Sequence, residues 1–124
     1  MKNFDRPLSP HLTIYRWPVT MILSILHRIS GLAMSAGLLV LAAWLVNAAA
    51  GPHEYQVFRG SLATTPGRVL LVAWSFAFFL HLGNGVRHLI WDTGRGLDKQ
   101  QARNSAWFVL AIAAVLTVAY WGLL

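Results

Sequence analysis

The 124-residue chain contains no cysteine, which excludes disulfides, thiolate ligation of iron–sulfur clusters and thiol catalysis within it. Any iron–sulfur chemistry would have to belong to a partner. Acids are scarce as well: Asp5, Glu54, Asp92 and Asp98 are the only four, all in or beside connectors. No carboxylate pair, nucleophile triad, zinc motif or phosphate-binding loop is present. Charged residues make up 11% of the chain against 56% hydrophobic, far from the balance of soluble domains.

What is present is apolar sequence in long blocks. Residues 29–52, 69–86 and 106–124 carry no charged side chain, and each block is about 18 residues or longer, enough to cross roughly 30 Å of hydrocarbon as a helix. Three spans consume most of the chain and leave no soluble core. The expected fold is an all-α integral membrane protein, a single transmembrane domain over 1–124, with helices at about 18–47, 68–91 and 103–124. The first helix, near 30 residues, would extend about 45 Å, so its first two turns belong at the membrane surface. Ala48-Ala49-Ala50 loosely fits a signal cleavage site, but the segment before it is too long for a signal peptide and is read as a retained helix. Residues 51–67, with Pro52 and Pro66, read as a connector, and 93–99 as a turn-rich one. Ala111, Ala113, Ala114 and Ala119 suit close packing of the third helix.

The formal charge of +6 does not form a patch for nucleic acid. Basic residues sit at the ends of the apolar blocks, where they act as topology signals. Lys2, Arg6 and Arg16 precede the first helix, and Arg95, Lys99 and Arg103 surround the second connector. The first connector offers Arg59 and Arg68 only. This bias predicts a cytoplasmic N-terminal segment over 1–17, a cytoplasmic second connector and a periplasmic C-terminus.

Polar groups inside such blocks are the functional candidates. His81 falls about 11 residues, or roughly 16 Å, from the cytoplasmic end of the second helix, near mid-membrane. Two readings are open for it: a neutral imidazole ligating haem iron, or a hydrogen bond to a carbonyl of an adjacent helix. Gly85 on the same face, and Gly83 beside it, would give a flat macrocycle clearance. His88 lies about 10 Å further along the axis, so one iron cannot take both, and a sixth ligand would come from another subunit. His27, Arg28, Arg87 and His88 belong near the cytoplasmic end, where haem propionates would favour cationic partners. For Arg87 the competing reading, snorkelling to headgroups or pairing with Asp92, is preferred. Ser24 and Arg28, one turn apart, pair a hydroxyl with a cation and could bind a quinone carbonyl, with Trp17 as a wall. Alternatively, Ser24 bonds its own helix backbone.

Three motifs carry a resemblance. They are Arg6-Pro7-Leu8-Ser9-Pro10-His11-Leu12, Ser24-Ile25-Leu26-His27-Arg28-Ile29-Ser30-Gly31, and the stretch from His81 to Asp92 of pattern H-x-x-x-G-x-R-H-x-x-x-D. The chain resembles the family of cytochrome b556 membrane-anchor subunits of succinate dehydrogenase (respiratory Complex II) over essentially its whole length. The resemblance implies that His81 is an axial ligand of haem b, with the second histidine supplied by a companion anchor subunit that shares the helical bundle. It implies that His27, Arg28 and His88 surround the propionates, and that Ser24, Arg28, Trp17 and Ile25 belong to a ubiquinone site. It further implies a flavoprotein subunit with FAD and an iron–sulfur subunit on the cytoplasmic side of a bacterial inner membrane. An anchor of a fumarate reductase and a non-redox structural membrane protein are the competing readings.

Overall fold

The computed structural model describes Ile14 and residues 16–123. Of the N-terminal segment expected over 1–17, only Ile14, Arg16 and Trp17 are therefore described, and the motif beginning at Arg6 lies outside. The described residues form four α-helices: α1 (Val19–Ala50), α2 (Pro52–Ala63), α3 (Thr65–Asp92) and α4 (Lys99–Gly122). Three of them, α1, α3 and α4, are long and apolar enough to span a membrane. At 32, 28 and 24 residues, they extend about 48, 42 and 36 Å.

The helix ends follow local chemistry. Pro18 precedes α1, and its carbonyl accepts from the amides of Met21 and Ile22. Gly51, at φ 139°, ends α1 in a conformation closed to most side chains. Thr64 caps α3 by accepting from the Gly67 amide at 3.3 Å, and Asp98 caps α4 through Gln100 N at 3.0 Å. The turn between α3 and α4 uses positive φ at Gly94 and Gly96.

One expectation is corrected. The 51–67 segment is not an irregular connector: twelve of its residues form α2. Its prolines do not break helices because each sits in a first turn, Pro52 in α2 and Pro66 in α3, where the missing N–H would have no intrahelical partner. No residue of α2 is buried, and Tyr55 meets Trp44 of α1 edge-on at 6.5 Å between centroids.

Helix α3 is the middle of the bundle, packing most extensively on α4 and next on α1. The small apolar core is Leu23, Leu80, Ala106, Val109 and Ala113. Only Ala113 of the four alanines expected to pack α4 is buried; Ala111, Ala114 and Ala119 face outward. Polar residues share the interior: Ser30, Asn84, Arg87 and Thr117 are all buried, while Leu32, Leu39 and Val118 are more than 70% exposed. An interior with this much polarity under an apolar exterior fits a helix bundle whose outer faces meet hydrocarbon or further helices. Residues from the start of α1, the end of α3 and the start of α4 line one cleft of about 850 Å³, so these three ends lie together.

Candidate functional site

Three histidines gather on the face shared by α1 and α3. The rings of His27 and His81 stack with centroids 4.1 Å apart and planes 14° apart. His88 lies on the other side of His27, at 5.5 Å and 41°, and meets Trp91 edge-on at 5.1 Å. The row therefore runs His81, His27, His88. His27 and His81 are half-buried and His88 is exposed.

His81 is fixed by one edge of its ring. Nδ1 lies 3.0 Å from Ser30 Oγ and 3.3 Å from the backbone oxygen of His27. The Ser30 hydroxyl donates to that same oxygen at 2.8 Å. With the hydroxyl donating there, both atoms facing Nδ1 are acceptors, an arrangement that favours the tautomer with the proton on Nδ1 and the lone pair on Nε2. Nε2 has no hydrogen-bond partner among the described residues. The contact with a carbonyl of the adjacent helix is present, and it occupies the nitrogen that a metal bound at Nε2 would not use.

The glycines divide differently from the expectation. A Cβ at Gly85 would meet nothing within 4 Å, so this part of the His81 face is open. At Gly83 a Cβ would lie 3.3 Å from Val109 Cγ1; this residue serves the α3–α4 contact and gives no clearance beside His81. Gly31, named in the sequence only as the end of the motif that starts at Ser24, is the closer neighbour. A Cβ there would approach His81 Cε1 to 3.3 Å. Its signal was the helical register shared with His27 and Ser30, one to four residues away.

Arg87 is not a rim residue, and it does not pair with Asp92. It is 5% exposed and donates to Ser105 Oγ at 2.9 Å, to Asn84 Oδ1 at 3.2 Å and to the Ala102 carbonyl at 2.9 Å. Its guanidinium also lies 3.9 Å over the Trp91 ring, and the Trp91 indole donates to the Gly96 carbonyl at 2.9 Å. This network ties α3 to α4 and to the turn between them. Aggregate charge patterning could not reveal it, since Ala102 and Ser105 are 15 and 18 residues from Arg87 in sequence.

Ser24 and Arg28 are exposed on α1, one turn apart, and Ile25 is exposed beside them. Ser24 is unlike the other helical serines. Ser30, Ser35, Ser61, Ser75 and Ser105 each donate to a carbonyl three or four residues back, whereas the Ser24 hydroxyl takes no partner among the described residues. Trp17, 53% exposed, lines the 850 Å³ cleft with Val19, Thr20, Trp91 and Trp107, while Ser24, Ile25 and Arg28 are not part of that lining.

The sequence over residues 2–120 matches the family model described as succinate dehydrogenase/fumarate reductase transmembrane subunit. The chain belongs to this family. It is 38% identical over 116 residues to the succinate dehydrogenase cytochrome b556 subunit of Rickettsia felis, covering 94% of this chain and 90% of that one. The corresponding Paracoccus denitrificans subunit is 39% identical over 114 residues, covering 92% and 88%. The mitochondrial succinate dehydrogenase cytochrome b560 subunit of Sus scrofa is 42% identical over 118 residues, 92% of this chain and 69% of that protein. Membership in this transmembrane family agrees with the three apolar helices and displaces the reading as a non-redox structural protein. The chain is a membrane-anchor subunit of the Complex II type.

Proposed function

We propose that this chain carries half of a haem b site and one wall of a ubiquinone site in a succinate:ubiquinone oxidoreductase. The observation that carries the haem reading is the setting of His81: Nδ1 lies within hydrogen-bond distance of the Ser30 hydroxyl and the His27 carbonyl, and Nε2 has no partner among the described residues. The fit is supported by the open space at Gly85 and by His27 Nδ1, a buried nitrogen with no hydrogen-bond partner among the described residues. His81 would hold the iron through Nε2, with the second histidine from a companion anchor subunit, and His27, Arg28 and His88 would face the propionates. When bound, the haem supplies a one-electron carrier inside the membrane.

The quinone reading rests on Ser24, whose hydroxyl has no partner among the described residues where every other described helical serine is bonded back. In the proposed site, Ser24 Oγ and the Arg28 guanidinium donate to one carbonyl oxygen of ubiquinone. They stabilise the negative charge that builds on that oxygen as electrons arrive from the iron–sulfur subunit. Trp17 and Ile25 contribute apolar wall at the surface end of the pocket. FAD and succinate belong to the flavoprotein subunit. The chain alone would be inactive, holding neither a complete haem site nor an electron donor.

The charge bias supports a cytoplasmic N-terminus, a periplasmic C-terminus and attachment of the catalytic subunits at the cytoplasmic face of a bacterial inner membrane. The family description also covers fumarate reductases; succinate oxidation is the reading favoured by the relatives named above. A reduced-minus-oxidised optical spectrum of the purified complex tests the proposal. A b-type band at one haem per complex is expected, and its absence would overturn the haem assignment.

A further inference from the structure

Ser30 is 3% exposed at the contact of α1 with α3. Its hydroxyl proton is committed to the His27 carbonyl at 2.8 Å, a back-bond common for serine in helices. In that arrangement a lone pair of Oγ faces His81 Nδ1, 3.0 Å away. The His27 carbonyl reaches the same nitrogen at 3.3 Å, the longer contact. Gly31 keeps the ring there, since a Cβ would stand 3.3 Å from Cε1 and 3.8 Å from Nδ1. One turn of α1 thus supplies a hydroxyl, a carbonyl and a gap, all directed at one edge of one imidazole.

We propose that Ser30 is a positioning residue that sets the tautomer and ring orientation of His81 and lowers the reduction potential of the iron that His81 holds. The inference rests on the reading of His81 as the haem ligand. A hydroxyl that donates to a carbonyl becomes a better acceptor, so it pulls on the Nδ1 proton more strongly than a solitary hydroxyl would. Electron density at Nε2 rises, the imidazole becomes a stronger donor, and the oxidised iron is favoured over the reduced. Without the hydroxyl, Nδ1–H retains only the longer carbonyl contact, and this bias weakens.

The test uses the intact complex purified with Ser30→Ala or Ser30→Thr, beside the unmodified form. Haem content is measured first, then the midpoint potential by optical titration, then the low-spin ferric signal by low-temperature EPR. In Ser30→Ala, reduction is expected to become about tenfold more favourable, equivalent to about 59 mV upward for one electron, with altered g values. Ser30→Thr, which keeps the hydroxyl, is expected to restore both. A haem-loaded Ser30→Ala complex with unchanged midpoint and g values would overturn the role of Ser30 while leaving His81 as ligand. Absence of haem from the unmodified complex would instead overturn the underlying assignment of His81. If Ser30→Ala does not retain haem, Ser30→Cys provides the measurement, since its thiol is a weak acceptor of similar size. A midpoint above that of Ser30→Thr supports the inference, and an equal one overturns it.

Discussion

His27 touches His81 twice, by its ring and by its backbone. The rings stack at 4.1 Å, while the His27 carbonyl oxygen lies 3.3 Å from His81 Nδ1. Only the first contact depends on the side chain. His27→Leu should therefore preserve a low-spin haem signal while weakening haem retention by about tenfold, the lower end of effects seen when a supporting residue is lost. Haem stoichiometry after detergent washing, read with EPR, checks this. A variant that lost the low-spin signal altogether would show that the ring, and not the carbonyl, holds His81.

The quinone wall predicts a separation of half-reactions. Arg28→Leu should lower ubiquinone reduction on the order of a hundredfold, as for loss of a charge-stabilising donor, and Ser24→Ala should lower it less because water can take the place of a hydroxyl. Succinate oxidation with an artificial acceptor should persist in both, since it requires neither residue. Normal ubiquinone turnover in both variants would contradict the assignment.

Arg87 makes three hydrogen bonds in a buried setting, with no ion pair to an acid among the described residues. Arg87→Met should destabilise the complex by about 2–4 kcal/mol, because Asn84, Ser105 and the Ala102 carbonyl lose their donor. Thermal inactivation of the purified complex reads this. The haem spectrum should be unchanged, which distinguishes a clamp between α3 and α4 from a propionate ligand.

Gly37 is fully packed against Trp74: a Cβ built there would fall inside the indole. Gly37→Ala should cost about 1–3 kcal/mol through overpacking, and Trp74→Leu should restore much of the loss in the double variant. Additive effects in a double-mutant cycle would refute the contact.

The long helices were legible because charge-free length is a one-dimensional signal, and the expected spans 18–47, 68–91 and 103–124 became 19–50, 65–92 and 99–122. Helix α2 was missed because Pro52 and Pro66 read as breakers, although proline at a helix start has no bond to break. His81 stood out as an imidazole at mid-membrane depth. What fixes it did not: Ser30 and Gly31 gain meaning only when α1 and α3 come into register, and a serine in an apolar helix looks the same whether or not a neighbour uses it. Arg87 was misplaced for the same reason. Its position near a helix end suggested snorkelling, and only packing against α4 revealed Ser105 and Ala102 waiting for its protons.

The most direct test of the central claim is the low-temperature EPR spectrum of the ferric haem in an intact His81→Leu complex. Haem content alone does not decide it, because His27 stands 4.1 Å from His81 and can help to retain the group. The unmodified complex should show a low-spin signal of two axial imidazoles, and His81→Leu should lose that signal for a high-spin or shifted one, with a changed midpoint potential. An identical low-spin signal and midpoint in the variant would contradict His81 as the iron ligand.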